Sequence, residues 1–531
     1  MSGGPSVAGT GTLIRAALRR DRWRLPLWIA GGAALVATQS VSSQALYDSP
    51  QDLAAYEASV GSNAASIALA GPPVGLDTVA GAVAFEISSF VILVAALMAM
   101  FTTGRHTRGD EEAGRTELLR ATRVGRHAPL LAAVAVSALA CAAMVPAVAA
   151  AGVGTGLPAG GSFLLGASVG AGALVFTGIT AVVAQVTASA RAVYGMVGGA
   201  LGIAFVLRAV GDVEGSWVSW TSPIGWAQAT HPWSDDRWSP ILLCLLVTVG
   251  LLAAAGALLD RRDLGSGLLA ARPGRASAPP SLASSLGLAV RLHRGALLGW
   301  AVALGLLGLV YGGLAGSVET LFADNPEARA FLPDSGSLVD AYLATTLSIN
   351  ALLAGAYAVS AVLRARAEES VGRAEPVLAT ATSRAAWLAG HGVVALAGAS
   401  LVLLVAGAAI GAVRAVDTGD GGEFSRLLSA STAYLPAVWV LAGAAVALFG
   451  LLPRSASALA WGAVAYVAVV TMFAASLDWP GWVDDASPLA WTPLAPVEEW
   501  SAGALAGLTA LAGLLLAAGV TGFRRRDLVP G

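Results

Sequence analysis

The sequence contains no lysine, so all 31 basic residues are arginine. That absence excludes a phosphate-binding loop of the G-x-x-x-x-G-K-[ST] type, whose lysine reaches the terminal phosphates of a nucleotide. Any ATP that drives this chain is therefore hydrolysed on another polypeptide. Cysteine is nearly absent too. Cys141 and Cys244 both fall inside apolar runs, so they read as small packing residues and not as a disulfide or metal framework. The five histidines are scattered, and no HExxH or CxxC motif occurs. With no nucleophile–base pair and no metal set, there is no catalytic residue to assign, and a membrane-bound lipid-modifying enzyme ranks last among the function classes. Charge is scarce as well, at 12% of residues.

What the chain has is apolar length. Hydrophobic residues make up 56% and the mean hydropathy is +0.72, far outside the range of soluble domains. Runs long enough to cross a hydrocarbon core lie at about 25–45, 80–103, 128–153, 163–186, 193–210 and 239–259. Six more lie at about 296–316, 341–363, 385–413, 428–452, 458–477 and 501–523. Abundant Ala and Gly suit close helix packing in lipid. The expected fold is an all-α polytopic membrane protein of about twelve transmembrane helices.

The two sets of six repeat one another. Residues 108–126 read RGDEEAGRTELLRATRVGR, and residues 366–384 read RAEESVGRAEPVLATATSR, aligning without a gap. LRRDRWRLPLW (18–28) before the first span matches VRLHRGALLGW (290–300) before the seventh. WVSWTSPIGW (217–226) matches WVDDASPLAW (482–491), and RRDL (261–264) recurs at 525–528. Matches in the same order imply duplication of a six-helix unit, and an even number of spans between the copies makes the repeat parallel. The expected domains are residues 1–264 and 286–531, joined by a Gly-, Pro- and Ser-rich linker at 265–285. The loops at 46–79 and 317–340 have room for short helices.

Orientation follows from arginine. Basic residues crowd at Arg15–Arg24, Arg105–Arg126, Arg191, Arg261–Arg294, Arg364–Arg384, Arg454 and Arg524–Arg526. The opposite loops carry acids, among them Asp48, Asp52, Glu57, Asp77, Asp212, Asp235, Glu319, Asp324, Asp334, Asp478, Asp484 and Glu498, with Arg237, Arg329, Arg414 and Arg426 as scattered exceptions. The net charge of -2 hides this asymmetry. The positive-inside rule puts both termini and both repeated loops in the cytoplasm. The first run is long and lacks a small-residue cleavage pattern, so no cleavable signal peptide is expected.

Within each charged loop, Glu111 and Arg115, and Glu369 and Arg373, stand four apart in the order that supports a short helix, with acids near its start. Pro376 replaces Leu118 in the second copy and is expected to end or kink that helix. A topology-setting charged turn would explain one copy. Retention of G-R-x-E-x-x-x-A-T in both argues for contact with something in the water. Leu13, Ile14, Ala17 and Leu18 form an apolar arc opposite Arg15, Arg19 and Arg22, the pattern of an interfacial elbow helix, and Leu286–Arg294 reads likewise. Glu86 and Arg208 fall near the outer ends of spans two and five, where both are expected to reach the surface.

The amphipathic start, the [DE]-E-x-x-G-R-x-E loop after the second span and the Ser-Pro-x-x-Trp segment before the last resemble the permease of ABC-2 type exporters. Two fused halves on an arginine-rich chain look like the actinobacterial exporters of polyketide antibiotics, the tetronasin-resistance type. The resemblance implies an efflux permease in the bacterial cytoplasmic membrane, with two copies of a separate ATPase that carry the ATP and Mg. It makes Asp110, Glu111, Glu112, Gly114, Arg115 and Glu117, and likewise Glu368, Glu369, Gly372, Arg373 and Glu375, the coupling loops that meet this ATPase. Ser370 lacks the acid of Glu112. The resemblance also places a substrate path between spans two and five of the two halves. Phe90, Met98, Phe101, Met196, Phe205, Asn350, Tyr357, Tyr466, Met472 and Phe473 would line it, suiting a hydrophobic or amphiphilic compound, though each also reads as plain helix packing. Ser222, Pro223 and Trp226, with Ser487, Pro488 and Trp491, would form re-entrant helices at an outer gate, or an aromatic belt at the interface. Lipids are the other expected partners, with no nucleic acid and no metal. The rival is a proton-driven antiporter of the major-facilitator type, whose loop carries G-x-x-x-D-R-x-G-R instead. No string of buried acids supports it.

Overall fold

In the computed structural model, eleven helices among the described residues are long and apolar enough to cross a membrane. A shorter apolar helix spans Ala456–Thr471. The described residues are 6–47, 49–120, 122–263, 265–269, 277–318, 337–473 and 480–528, and they contain no strand. Two compact units form, Met1–Gly274 and Arg275–Gly531. Glu319, Asp324, Arg329, Asp334 and Asp478 lie outside the described residues, as do Asp48, Leu264 and the side chains of Met472 and Phe473.

The first unit runs α1 (Thr10–Arg20), α2 (Arg24–Leu46), α3 (Pro50–Val60), α4 (Ala64–Ala70), α5 (Val79–Glu112), α6 (Arg115–Arg120), α7 (Ala128–Gly154), α8 (Ala159–Val186), α9 (Ala190–Val213), α10 (Pro223–Gln228) and α11 (Ser239–Asp260). Of these, α2, α5, α7, α8, α9 and α11 are the six spans. Burial ranks them: 72% of the most apolar stretch of α5 and of α8 is buried, against 17% for α11. Helices α5 and α8 are thus the core of the unit, and the rest pack around them. Amphipathic α1 lays Ala17, Ile14 and Leu18 on this core and leaves Arg15 and Arg19 exposed. In the loop before α5, Ser49 and Asp52 cap α3 reciprocally and Asn63 caps α4.

The second unit repeats the plan with α12 (Ser285–Leu314), α13 (Leu338–Ser370), α14 (Ala374–Leu378), α15 (Arg384–Thr418), α16 (Gly422–Ala433), α17 (Leu435–Leu451), α18 (Ala456–Thr471), α19 (Trp482–Asp485) and α20 (Ala502–Arg525). Helix α13 and the α16–α17 pair are its buried core, at 78% and 72%. One difference has a clear cause. The expected separate elbow at Leu286–Arg294 is the first part of the continuous α12. In the first unit Pro26 stands in the first turn of α2, where its ring opposes continuation of the helix toward α1, and the matching position is Leu298. Small residues set the helix spacing. A Cβ on Gly450 or Gly519 would collide with backbone of the facing helix, so α17 and α20 cross in near backbone contact.

In the acidic loops, the three scattered arginines among the described residues are neutralised locally. Arg237 pairs with Asp235, Arg414 with Asp417, and Arg426 with both Asp340 and Glu423. These three therefore add little net positive charge to their loops. Arg208 does not reach the surface as expected. It is fully buried and donates to the carbonyls of Ile67 (3.2 Å) and Leu69 (3.3 Å) at the end of α4. Its guanidinium lies over Phe205 and 3.6 Å from Asp212. Half-buried Glu86 accepts from Ser43 (2.6 Å), Gln39 (2.7 Å) and Tyr47 (2.9 Å), which satisfies its charge with neutral donors.

Candidate functional site: the repeated charged loop

Both charged loops begin with a helix that glycine stops. Gly114 has φ +69 and Gly372 φ +74, and a Cβ at either would meet nothing within 4 Å. Backbone conformation, not space, selects glycine here, since the left-handed region costs other residues about 1–2 kcal/mol. The break overturns the expected four-apart pairs. Arg115 reaches back to Asp110 (2.6 Å) and Arg373 to Glu368 (3.3 Å), each five residues away. Pro376 neither ends nor kinks α14. It stands in that helix's first turn, where no N–H is needed.

Released from the arginines four residues on, Glu111 and Glu369 turn inward. Arg262 grips both Glu111 oxygens (2.9 and 3.2 Å), the Gly265 amide donates to the same carboxylate (2.8 Å), and Arg108 lies 2.9 Å from it. In the second unit Arg526 grips both oxygens of Glu369 (2.6 and 2.9 Å), and Arg366 lies 3.5 Å away. Arg262 and Arg526 are the second arginines of the two R-R-D-L repeats. The loop's far end joins the same point. Arg126 donates to the Leu259 and Arg262 carbonyls (2.7 and 3.0 Å), and its counterpart Arg384 donates to the Arg526 carbonyl. Side-chain exposure is 9% for Glu111 and 8% for Arg262, and 1% and 14% for the second pair, so both pairs are withdrawn from water. An adjoining cavity of about 30 Å³, lined by Glu111, Arg126, Gln185 and Arg262, has room for a water and not for a cargo.

The first loop carries braces that the second lacks. Arg20 holds both oxygens of Asp110 (2.7 and 2.9 Å), and Asp21 meets Arg105 and His106 (2.5 Å to the imidazole). Burial pushes the Asp21 carboxyl up, but the His106 hydrogen bond and the charges of His106, Arg105 and Arg24 outweigh it and hold Asp21 below its ordinary value. Glu112 accepts the Ala190 amide (3.0 Å) at the start of α9. In the second unit, His293 replaces Asp21 and bonds His391 (3.0 Å), while Ser370 turns onto its own helix at Ala367 (3.0 Å). What remains outward in both copies is the short helix after the glycine. Glu117 and Glu375 are exposed and have no partner among the described residues. Asp21 and His106 escaped the sequence reading because their matching positions, His293 and Arg364, differ chemically; Asp-Arg beside a lone His was the available signal.

The remaining sequence candidates are spread out. Ser222 caps α10 and donates to the Ala204 carbonyl (2.7 Å), with Pro223 in the first turn, while Ser487 is fully buried ahead of Pro488. Trp226 donates to the Trp220 carbonyl (2.6 Å) and Trp491 to the Asp485 carbonyl (2.7 Å), so an indole closes the same six-residue turn in both units. Phe90, Phe101 and Met196 are exposed on the first unit, with Phe101 against Tyr194. Phe205 is half-buried beneath Arg208, and Tyr466 bonds the Val483 carbonyl. Met98 and Tyr357 are fully buried in the apolar packing of their own units, and Asn350 is buried with its amide donating to the Thr346 carbonyl (2.8 Å).

With this geometry in view, two comparisons bear on the chain. The family model described as "Multidrug efflux system permease Rv1217c, C-terminal domain" matches residues 13–259 and 282–524, two stretches of nearly equal length. The chain is also 37% identical over 531 residues to the multidrug efflux system permease protein Rv1217c of Mycobacterium tuberculosis (strain ATCC 25618 / H37Rv), covering 99% of this chain and 96% of that protein.

Proposed function

Because the chain belongs to the Rv1217c family of multidrug efflux system permeases, we propose that it is the membrane-spanning subunit of an ATP-binding cassette exporter. Both transmembrane halves are on one chain, in the manner of the tetronasin-resistance type. Two copies of a separate ATPase, which hold ATP and Mg, dock on the loops after spans two and eight. The arginine-rich end and both termini face the cytoplasm of the bacterial inner membrane. A hydrophobic or amphiphilic compound is exported when ATP closes the ATPase pair and the loops are displaced.

One observation carries this reading. The loops are built twice to the same plan, with their other acids tied inward, and the exposed acids Glu117 and Glu375 are left on short helices beyond the glycine. The lysine-free sequence fits this reading, since a P-loop needs a lysine that these 531 residues do not supply. Inverted vesicles carrying the chain and its ATPase provide the test, with a fluorescent amphiphile as cargo. Uptake should require ATP and persist when an ionophore collapses the proton gradient. Uptake abolished by the ionophore at constant ATP would replace this reading with a gradient-driven antiporter.

A further inference from the structure

We propose that Arg262 and Arg526 are positioning residues that fasten each loop to the end of the last span, so that spans α11 and α20 move with the loops when an ATPase displaces them. The inference rests on the reading of these loops as coupling elements and gives Glu111 and Glu369 a different role from docking. Each arginine is a hub of three elements. Arg262 holds Glu111 at the end of α5 and, through Nε, the Gln185 side chain (2.7 Å) at the end of α8. Arg526 holds Glu369 at the end of α13, reaches the Phe449 carbonyl (3.3 Å) in α17, and lies over the rings of Phe449 and Phe523. The partners on the fourth span differ, yet the Glu–Arg grip is the same.

Two independent features argue against a chance surface contact. The paired residues are 151 and 157 positions apart, and the match recurs in both units. Both pairs are also buried and two-pronged, the arrangement that transmits displacement with little slack. A lysine keeps the charge but loses the planar fork, so it would hold the loop loosely.

The test uses the full chain with its ATPase in vesicles, in five forms: unchanged, Arg262→Glu with Arg526→Glu, Glu111→Arg with Glu369→Arg, all four together, and Arg262→Lys with Arg526→Lys. Three quantities are read: trypsin cleavage after Arg115 and Arg373, retention of the ATPase, and ATP-driven uptake. Either reversal should speed cleavage and lower uptake at least about tenfold, with the ATPase still bound through Glu117 and Glu375. The four-fold swap should restore slow cleavage and most of the uptake, and the lysine form should fall between. Wild-type uptake in both reversals and in the lysine form would overturn the proposal, as would a folded swap that restores neither quantity. If the unchanged chain retains no ATPase, the exporter reading fails, while cleavage and its rescue by the swap still decide whether these arginines fasten the loop.

Discussion

Reversing both exposed loop acids, as Glu117→Arg with Glu375→Arg, is expected to abolish ATP-driven transport while leaving the membrane domain folded. Neither side chain has a partner among the described residues, so reversal breaks no described contact. In the proposed exporter they meet a basic surface on the ATPase. A charge-assisted contact there contributes about 1.5–3 kcal/mol, so each ATPase copy, which meets one loop, is held about ten- to a hundredfold more weakly. Each single reversal should give an intermediate loss. Co-purification measures retention of the ATPase, vesicle uptake measures function, and the thermal midpoint checks the fold. Full ATPase retention in the double variant would remove these acids from the docking surface.

Arg208→Ala is expected to act the other way, through the fold. The buried guanidinium donates to the Ile67 and Leu69 carbonyls of α4 and faces Asp212, which also accepts from Ser219 (2.5 Å). Removing it strands a buried carboxylate and leaves those two carbonyls without that donor, a loss of about 3–5 kcal/mol. The thermal midpoint should fall and proteolysis between α2 and α5 should quicken. Replacing both partners, as Arg208→Met with Asp212→Leu, should cost much less, because no charge is then left alone. A midpoint unchanged in Arg208→Ala would show that α4 is held without it, by packing and by the Ser89 and Gln228 bonds to the Ala70 carbonyl.

These two outcomes separate what periodicity reveals from what it hides. Eleven of the twelve expected spans, a shorter apolar helix at the remaining one and the paired loops were legible because apolar length and a gap-free repeat are local properties of the sequence. The R-R-D-L repeat was visible too, but not its meeting with Glu111 and Glu369, since residues more than a hundred positions apart share no local pattern. The helix break was in principle readable. Taking E-E-A-G-R as one helix paired Glu111 with Arg115, whereas Gly114 as a left-handed stop pairs Asp110 with Arg115 and frees Glu111 for Arg262. Arg208 was misread for a different reason. A long side chain near a span end can rise to the surface or stay in, and what decides is the carbonyl end of α4 in a loop whose fold the sequence reading left open.

The measurement that bears most directly on the account is a mild-detergent purification of the tagged chain, with partners identified and counted by mass spectrometry. The account predicts a P-loop ATPase at two copies per chain, lost when Glu117 and Glu375 are both reversed. Recovery of the chain alone, with transport intact in vesicles that lack ATP, would contradict it.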